Sequence, residues 1–260
     1  MSFNIDGPLV FGIDISHHNK VVDFDAVAGS NAKFCWCKAT EGETYKDPKF
    51  ASYANQLLAR GMLTGAYHYA RPGNNSPAAE AGNFLRTVAK VDPLTLRPVL
   101  DFEEANSKVP RAAAATAWIN EWLAIVAGET GTVPVLYTGP NVLAKIGIPN
   151  YTAPPGVLVW APRYPSSARQ YMTTEDSVVA KGRKDHGLWD RFKKPGLPVD
   201  IWQYSNKGSV PGITGNVDLN VTDPETFRAI QSGGSMPAGM MVAAAVVVAG
   251  VVYYYYTRKG

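Results

Sequence analysis

Hydrophobic positions along this chain alternate between short apolar runs and longer stretches of helical spacing. Residues 9–16, 32–40, 63–69, 98–102 and 133–137 are strand-length runs. Between them, residues 47–60 carry Phe50, Tyr53, Ala54, Leu57 and Leu58 on one stripe, and Gly61 is a good stop. Residues 77–91 and 110–128 read as two further helices, the second with Trp118, Trp122 and Ile125 turned inward, and a short helix is expected near 141–146. The rhythm then changes. Residues 157–161, 200–204 and 217–221 are strand-like with no clear helices between them, residues 165–199 form a long connection, and 223–231 read as a closing helix. Serial strand–helix units build a parallel sheet, and this many can close into a barrel. The helix-poor later strands make it an irregular one.

In such barrels chemistry gathers at the C-terminal strand ends. Asp14, Asp101, Glu103 and Asp218 all fall at expected strand ends. Asp101 and Glu103 are two apart, so they share a face, whereas Glu104 points the other way. A same-face carboxylate pair is what acid/base chemistry on a glycosidic bond requires. Lys38, Tyr67, Tyr69, Tyr137, Trp160, Arg163, Trp202 and Gln203 sit at the same strand ends and are the candidate substrate-binding residues. Aromatic faces suit the apolar C–H faces of sugar rings, so the set points to a saccharide cleft. No phosphate-cradling glycine loop is present, no cluster supports His17 and His18 as metal ligands, and no cofactor is expected. The two histidines read as polar rim residues. For His68, between two tyrosines, structural hydrogen bonding and substrate contact both stand open. A lone aspartate at a strand end is ordinarily a turn former, so the argument rests on the set.

Composition narrows the classes. A chain of 260 residues, 46% hydrophobic and 18% charged, is globular, as one large α/β domain or two small ones. Its net charge of +3 and pI near 8.7 are too mild for a nucleic-acid partner but suit an anionic polymer such as a bacterial wall. Cys35 and Cys37 read as reduced core thiols, since a disulfide between strand neighbours two apart is strained. The N-terminus lacks the basic start and apolar core of a secretory signal. By contrast, residues 238–256 carry no charge, and Tyr253 to Tyr256 precede Arg258 and Lys259. That pattern predicts a transmembrane helix over 238–257, joined by a short linker over 231–237 to a catalytic domain over 1–230. The expected location is therefore membrane-anchored. A basic cluster from Lys181 to Lys194 in the long connection is a candidate contact for the anionic wall.

Six segments together carry a family resemblance. They are Gly12-Ile13-Asp14-Ile15-Ser16, Lys38-Ala39-Thr40-Glu41-Gly42, Gly65-Ala66-Tyr67-His68-Tyr69, Asp101-Phe102-Glu103, Trp202-Gln203-Tyr204-Ser205 and Val217-Asp218-Leu219-Asn220. In their order and over roughly residues 10–222, the chain resembles the glycoside hydrolase family 25 muramidases, the Chalaropsis-type lysozymes of phage endolysins and bacteria. The resemblance implies an irregular TIM-like (β/α)5β3 barrel. It also implies hydrolysis, with retention, of the β-1,4 bond from N-acetylmuramic acid to N-acetylglucosamine in peptidoglycan. Glu103 matches the family's general acid/base, and Asp14, Asp101 and Asp218 match its other acidic positions. The second partner is either an aspartate or the substrate's own N-acetyl group. Family endolysins commonly end in wall-binding repeats, so with the apolar tail the resemblance implies a phage-encoded, membrane-anchored muramidase acting in host penetration or at lysis, held at a virion internal membrane or the host inner membrane, with virion or membrane proteins as candidate partners. The alternative on the same fold is a non-catalytic wall-binding or structural virion component, against which the complete acidic set argues.

Overall fold

A computed structural model describes residues 7–73, 75–91, 93–103, 111–164, 170–171 and 199–232. The expected anchor, all but two residues of its linker, the basic cluster at 181–194 and Glu104 lie outside the described residues. Eight strands form the barrel: β1 (Val10–Ile15), β2 (Ala32–Glu41), β3 (Leu63–Tyr69), β4 (Val99–Asp101), β5 (Val135–Tyr137), β6 (Leu158–Pro162), β7 (Ile201–Ser209) and β8 (Val217–Thr222). The helices are α1 (Phe24–Ala28), α2 (Phe50–Leu58), α3 (Pro77–Val88), α4 (Ala112–Thr130), α5 (Pro140–Lys145) and α6 (Pro224–Ala229). One helix follows each of β1 to β5, and none of the described helices lies between β5's helix and β8.

Neighbouring strands from β1 through β7 pair in parallel, while β8 runs antiparallel to both β7 and β1 and closes the ring. The barrel is therefore mixed, where serial units alone predict parallel strands. The antiparallel run also corrects the place of Asp218. It lies near the start of β8, and reaches the mouth because that strand points the other way; its Cα partner is Asp14 on β1.

Period-two alternation sorts the side chains. Inward from the lower barrel come Phe34, Trp36, Leu158, Trp160 and Ile201, all buried, with Trp36 stacked on Trp160 at 4.9 Å. Space for these rings comes from Gly12 and Gly65. A Cβ on Gly12 would lie 2.2 Å from the Phe34 ring, and one on Gly65 2.5 Å from Trp36. Outward-facing Ile13, Cys35, Leu100, Leu136, Val159, Trp202 and Leu219 meet the helices in the main core. Cys35 and Cys37 are free and buried, as expected, with sulfurs 3.9 Å apart. On α2, Phe50, Tyr53, Ala54 and Leu57 form the buried stripe. On α4, Trp118 and Trp122 are buried.

The helix ends follow local chemistry. Ser76 caps α3 by accepting from the Ala79 amide ahead of Pro77, and Asp223 does the same for α6 from Thr226, ahead of Pro224. Gly131 ends α4 in the left-handed region at φ 66°. Across the floor of the barrel, Phe227 and Ile230 pack beneath the inward layer. Among the described residues, no helix is long and apolar enough to cross a membrane.

Candidate active site

At the mouth the alternation that filled the barrel with aromatics turns polar. Asp14, Lys38, Tyr67, Tyr69, Asp101, Glu103, Tyr137, Trp160, Gln203 and Asp218 line one cleft of about 460 Å³, with Ser16, His18, Asn19, Glu41 and Arg71. All four predicted acids are thus in one place. Asp101 pairs in register with Tyr69 on one side and Tyr137 on the other, which sets the carboxyl between two rings.

Asp14 sits at the cleft floor. Its Oδ2 accepts from Gln203 Nε2 at 2.9 Å and Asn220 Nδ2 at 2.8 Å. Behind them, Asn220 Oδ1 accepts from Trp160 Nε1 at 2.9 Å, and Gln203 Oε1 accepts from the Tyr137 and Tyr164 hydroxyls at 2.8 and 2.5 Å. Burial pushes the Asp14 carboxyl up to about 6 against the pull of its amide donors. Asp218, in hydrogen-bond contact with it, is pushed up to about 9 by burial and by Asp14's charge. Burial also raises Asp101 well above the ordinary carboxylate range, with the charges of Glu103 and Asp14 adding to it. Glu103 is raised too, first by burial and then by Asp14; contact with Asp101 and the Lys38 charge pull the other way. Like-charge crowding among the four acids is present but second to burial.

A cationic wall faces these acids. Lys38 Nζ lies 2.6 Å from Glu41 Oε2, and Arg71 Nη2 lies 2.7 Å from Glu41 Oε1. Both cations sit over the Tyr69 ring, at 4.8 and 4.7 Å from its centroid. His68 settles as structural. It is fully buried, bonded through Nε2 to Glu80 Oε2 at 2.7 Å and through Nδ1 to Thr40 Oγ1 at 2.7 Å. Glu80 in turn accepts from the Arg71 backbone amide and from Asn75, which shapes the turn that carries Arg71. His18 lines the cleft rim, and His17 bonds Asp47 at 2.7 Å.

Two predicted binding residues are not brought to the cleft. Trp202 faces outward, is 1% exposed, and donates its indole N–H to the Arg163 carbonyl at 2.7 Å. Gln203 occupies the inward position of β7, and adjacent strand residues cannot share a face. Arg163 contributes backbone to β7, its amide bonding the Gln203 carbonyl at 3.0 Å, and it is not among the lining residues. Sequence reasoning passed over Glu41, Arg71, Asn220 and Tyr164 as individual site residues. Parity held the signal for two of them: Asn220 is two beyond Asp218, and Arg71 two beyond Tyr69.

Carboxyls that keep protons near neutrality, in an open cleft walled by aromatic rings at a barrel mouth, are the equipment of a glycoside hydrolase. The family described as Glycosyl hydrolases family 25 matches residues 13–213, and the chain belongs to it. Among its relatives, N,O-diacetylmuramidase of Chalaropsis sp is 34% identical over 168 residues, covering 61% of this chain and 80% of the relative. Lysozyme M1 of Streptomyces globisporus is 29% identical over 236 residues, covering 81% and 67%. The solved lysozyme of Streptomyces coelicolor superposes with a TM-score of 0.65 at 27% identity, covering 85% of this chain and 95% of that one. The family GH25 lysozyme of Aspergillus fumigatus gives 0.65 at 26% identity, covering 86% and 100%.

Proposed function

We propose that this protein is an N-acetylmuramidase that cleaves the β-1,4 bond between N-acetylmuramic acid and N-acetylglucosamine in peptidoglycan. The observation that carries the reading is the Asp101–Glu103 pair, held in contact and raised by burial beside the Asp14–Asp218 pair. Kinship with lysozymes and muramidases supplies the substrate class. Both members of the pair line the cleft, and Glu103 is the half-buried one where Asp101 is buried, so Glu103 is the general acid. Its proton passes to the glycosidic oxygen as the C1–O bond breaks, and the leaving sugar departs as the alcohol. Charge developing on the ring faces ionised Asp14 at the floor. Glu103, now a carboxylate, takes a proton from the water that completes hydrolysis.

Glu103→Gln should lower peptidoglycan hydrolysis by at least about a hundredfold while wall binding stays, since loss of general acid catalysis alone is on the order of 10²–10⁴. Zymography and a wall pull-down read the two. Mass spectrometry of the released reducing ends checks the bond, with muramic acid ends expected. A wild-type protein that binds wall and releases no sugar ends would overturn the reading in favour of a binding component.

The proposal extends to place. The charge-free run over 238–256, which ends in Tyr253 to Tyr256 and is followed by Arg258 and Lys259, supports a membrane anchor, and with it a phage-encoded enzyme held at a virion or host inner membrane for host penetration or lysis.

A further inference from the structure

Two side-chain amides converge on a single oxygen of Asp14, and that of Asn220 is not free to turn. The Trp160 indole N–H can only donate, so Asn220 must present its oxygen to it and its NH2 to Asp14. Gln203 has its oxygen held by the hydroxyls of Tyr137 and Tyr164, which leaves its NH2 for the same Asp14 Oδ2. A proton on that oxygen would meet donors on both sides. Asp218, the Cα partner of Asp14 across the β1–β8 pairing, is in hydrogen-bond contact with the same carboxyl.

We propose that Asn220 and Gln203 are positioning residues whose clamped amides keep Asp14 an acceptor and force the proton of the Asp14–Asp218 pair onto Asp218. Two adjacent carboxyls would otherwise share a proton without preference. The clamp makes one a fixed anion on the cleft floor and the other a neutral hydroxyl donor. The relay reaches from the outer Tyr164, which does not line the cleft, through Gln203 to the carboxylate. Other titratable groups facing the pair are Asp101 and Glu103 at the end of β4, Lys38 on β2, Tyr67 on β3 and Tyr137 on β5. None of these donates a hydrogen bond to Asp14 Oδ2 among the described residues. Burial keeps the Tyr67 and Tyr137 phenols protonated, so their charge does not change across the range in question.

The role rests on the muramidase reading, but its first test does not need activity. Carboxyl-carbon NMR of selectively labelled protein follows Asp14 and Asp218 through a pH titration. Asp218 should titrate above Asp14. Asn220→Leu should raise the Asp14 midpoint by about one pH unit or more, and Trp160→Phe, which frees Asn220 to turn, by less. An Asp14 that titrates above Asp218, or that ignores both substitutions, overturns the clamp. If Asn220→Leu does not fold, Trp160→Phe and Tyr164→Phe carry the test alone. In kinetics on wall substrate, the acidic limb of kcat/KM should move up with Asp14, costing about tenfold at a pH one unit below the wild-type midpoint and little near neutrality. A loss equal at all pH values would mark these residues as merely structural. A wild-type protein that cleaves no wall substrate would defeat the muramidase reading while the titration still judged the clamp.

Discussion

Asp218 illustrates what a buried carboxyl costs the fold that carries it. Unfolded, it titrates near 3.8; folded, it is pushed up to about 9. Between those values the native state binds more protons than the unfolded state, so stability falls as pH rises across the window. Asp14, pushed up to about 6, adds a smaller loss in the lower part of it. Asp218→Asn removes the titration and keeps a hydrogen-bond donor, so it should melt above wild type at pH 8, with the gap closing towards pH 4. For a domain of this size about 1 kcal/mol corresponds to roughly 2–4 °C in a calorimetric scan. A gap that widens towards low pH would contradict the sign. All four acids were legible in the sequence because each ends or begins a short apolar run. Trp202 was misread because being at a strand end was weighed without parity, and Gln203 already held the inward place. Parity alone marks Asn220 and Arg71, and Tyr164 carries no mark at all. Their part depends on which oxygen each faces, and only tertiary geometry decides that.

Strands and long helices of the barrel were readable because burial on one face or both leaves a periodic record. The predicted run at 63–69 matches β3, and the stripe on α2 is the buried one. What escaped were the elements too short to show a period. The five-residue α1 is held by Asp23, which caps the Ala26 amide, and Lys20–Val21 is held by pairing with Ile213–Thr214 rather than by its own pattern. The antiparallel sense of β8 was equally hidden, since a strand's pattern reads the same in either direction. Packing inside the ring makes a sharper claim than periodicity does. Phe34 occupies the space over Gly12, so Gly12→Ala forces a ring or a strand to move and should cost about 1–3 kcal/mol. Thermal melts of Gly12→Ala, and of Gly12→Ala with Phe34→Leu, check this, with partial recovery expected in the double variant. Gly128→Ala is the control. It lies in α4 with nothing within 4 Å of the added carbon, so it should be neutral or slightly stabilising. Equal losses for Gly12→Ala and the control would sink the packing account.

The described chain leaves the barrel at the end opposite its mouth. Arg97 N donates to Ile230 O at 2.8 Å, Gln231 bridges Leu96, and Ser232 N donates to Thr95 O at 2.8 Å. These contacts lie ahead of β4, at the level where β3 begins, while Tyr69 and Asp101 close the same strands at the mouth. The seven residues of β3 separate the two ends by about 20 Å. Residues 233–237 can bridge at most about 18 Å before the apolar run over 238–256 begins. Were the apolar run to insert in a bilayer, as proposed, so short a tether would hold the barrel with its floor towards the lipid and its cleft facing away. That is the orientation a muramidase needs if its polymer lies beyond the membrane that holds it. The prediction has two separable parts. In vesicles, the full chain should sediment with lipid and a chain ending at residue 235 should not; a truncated protein that still sediments would overturn the anchor. For orientation, Ser232→Cys and Glu43→Cys each provide an exposed or half-exposed labelling site, at the floor and at the mouth, while Cys35 and Cys37 are buried. A fluorophore at 232 should be quenched by a quencher carried on lipid headgroups, and one at 43 should not. Equal quenching at both, with sedimentation intact, would mean that the tether holds the barrel on its side and that the anchor leaves the mouth without a preferred direction.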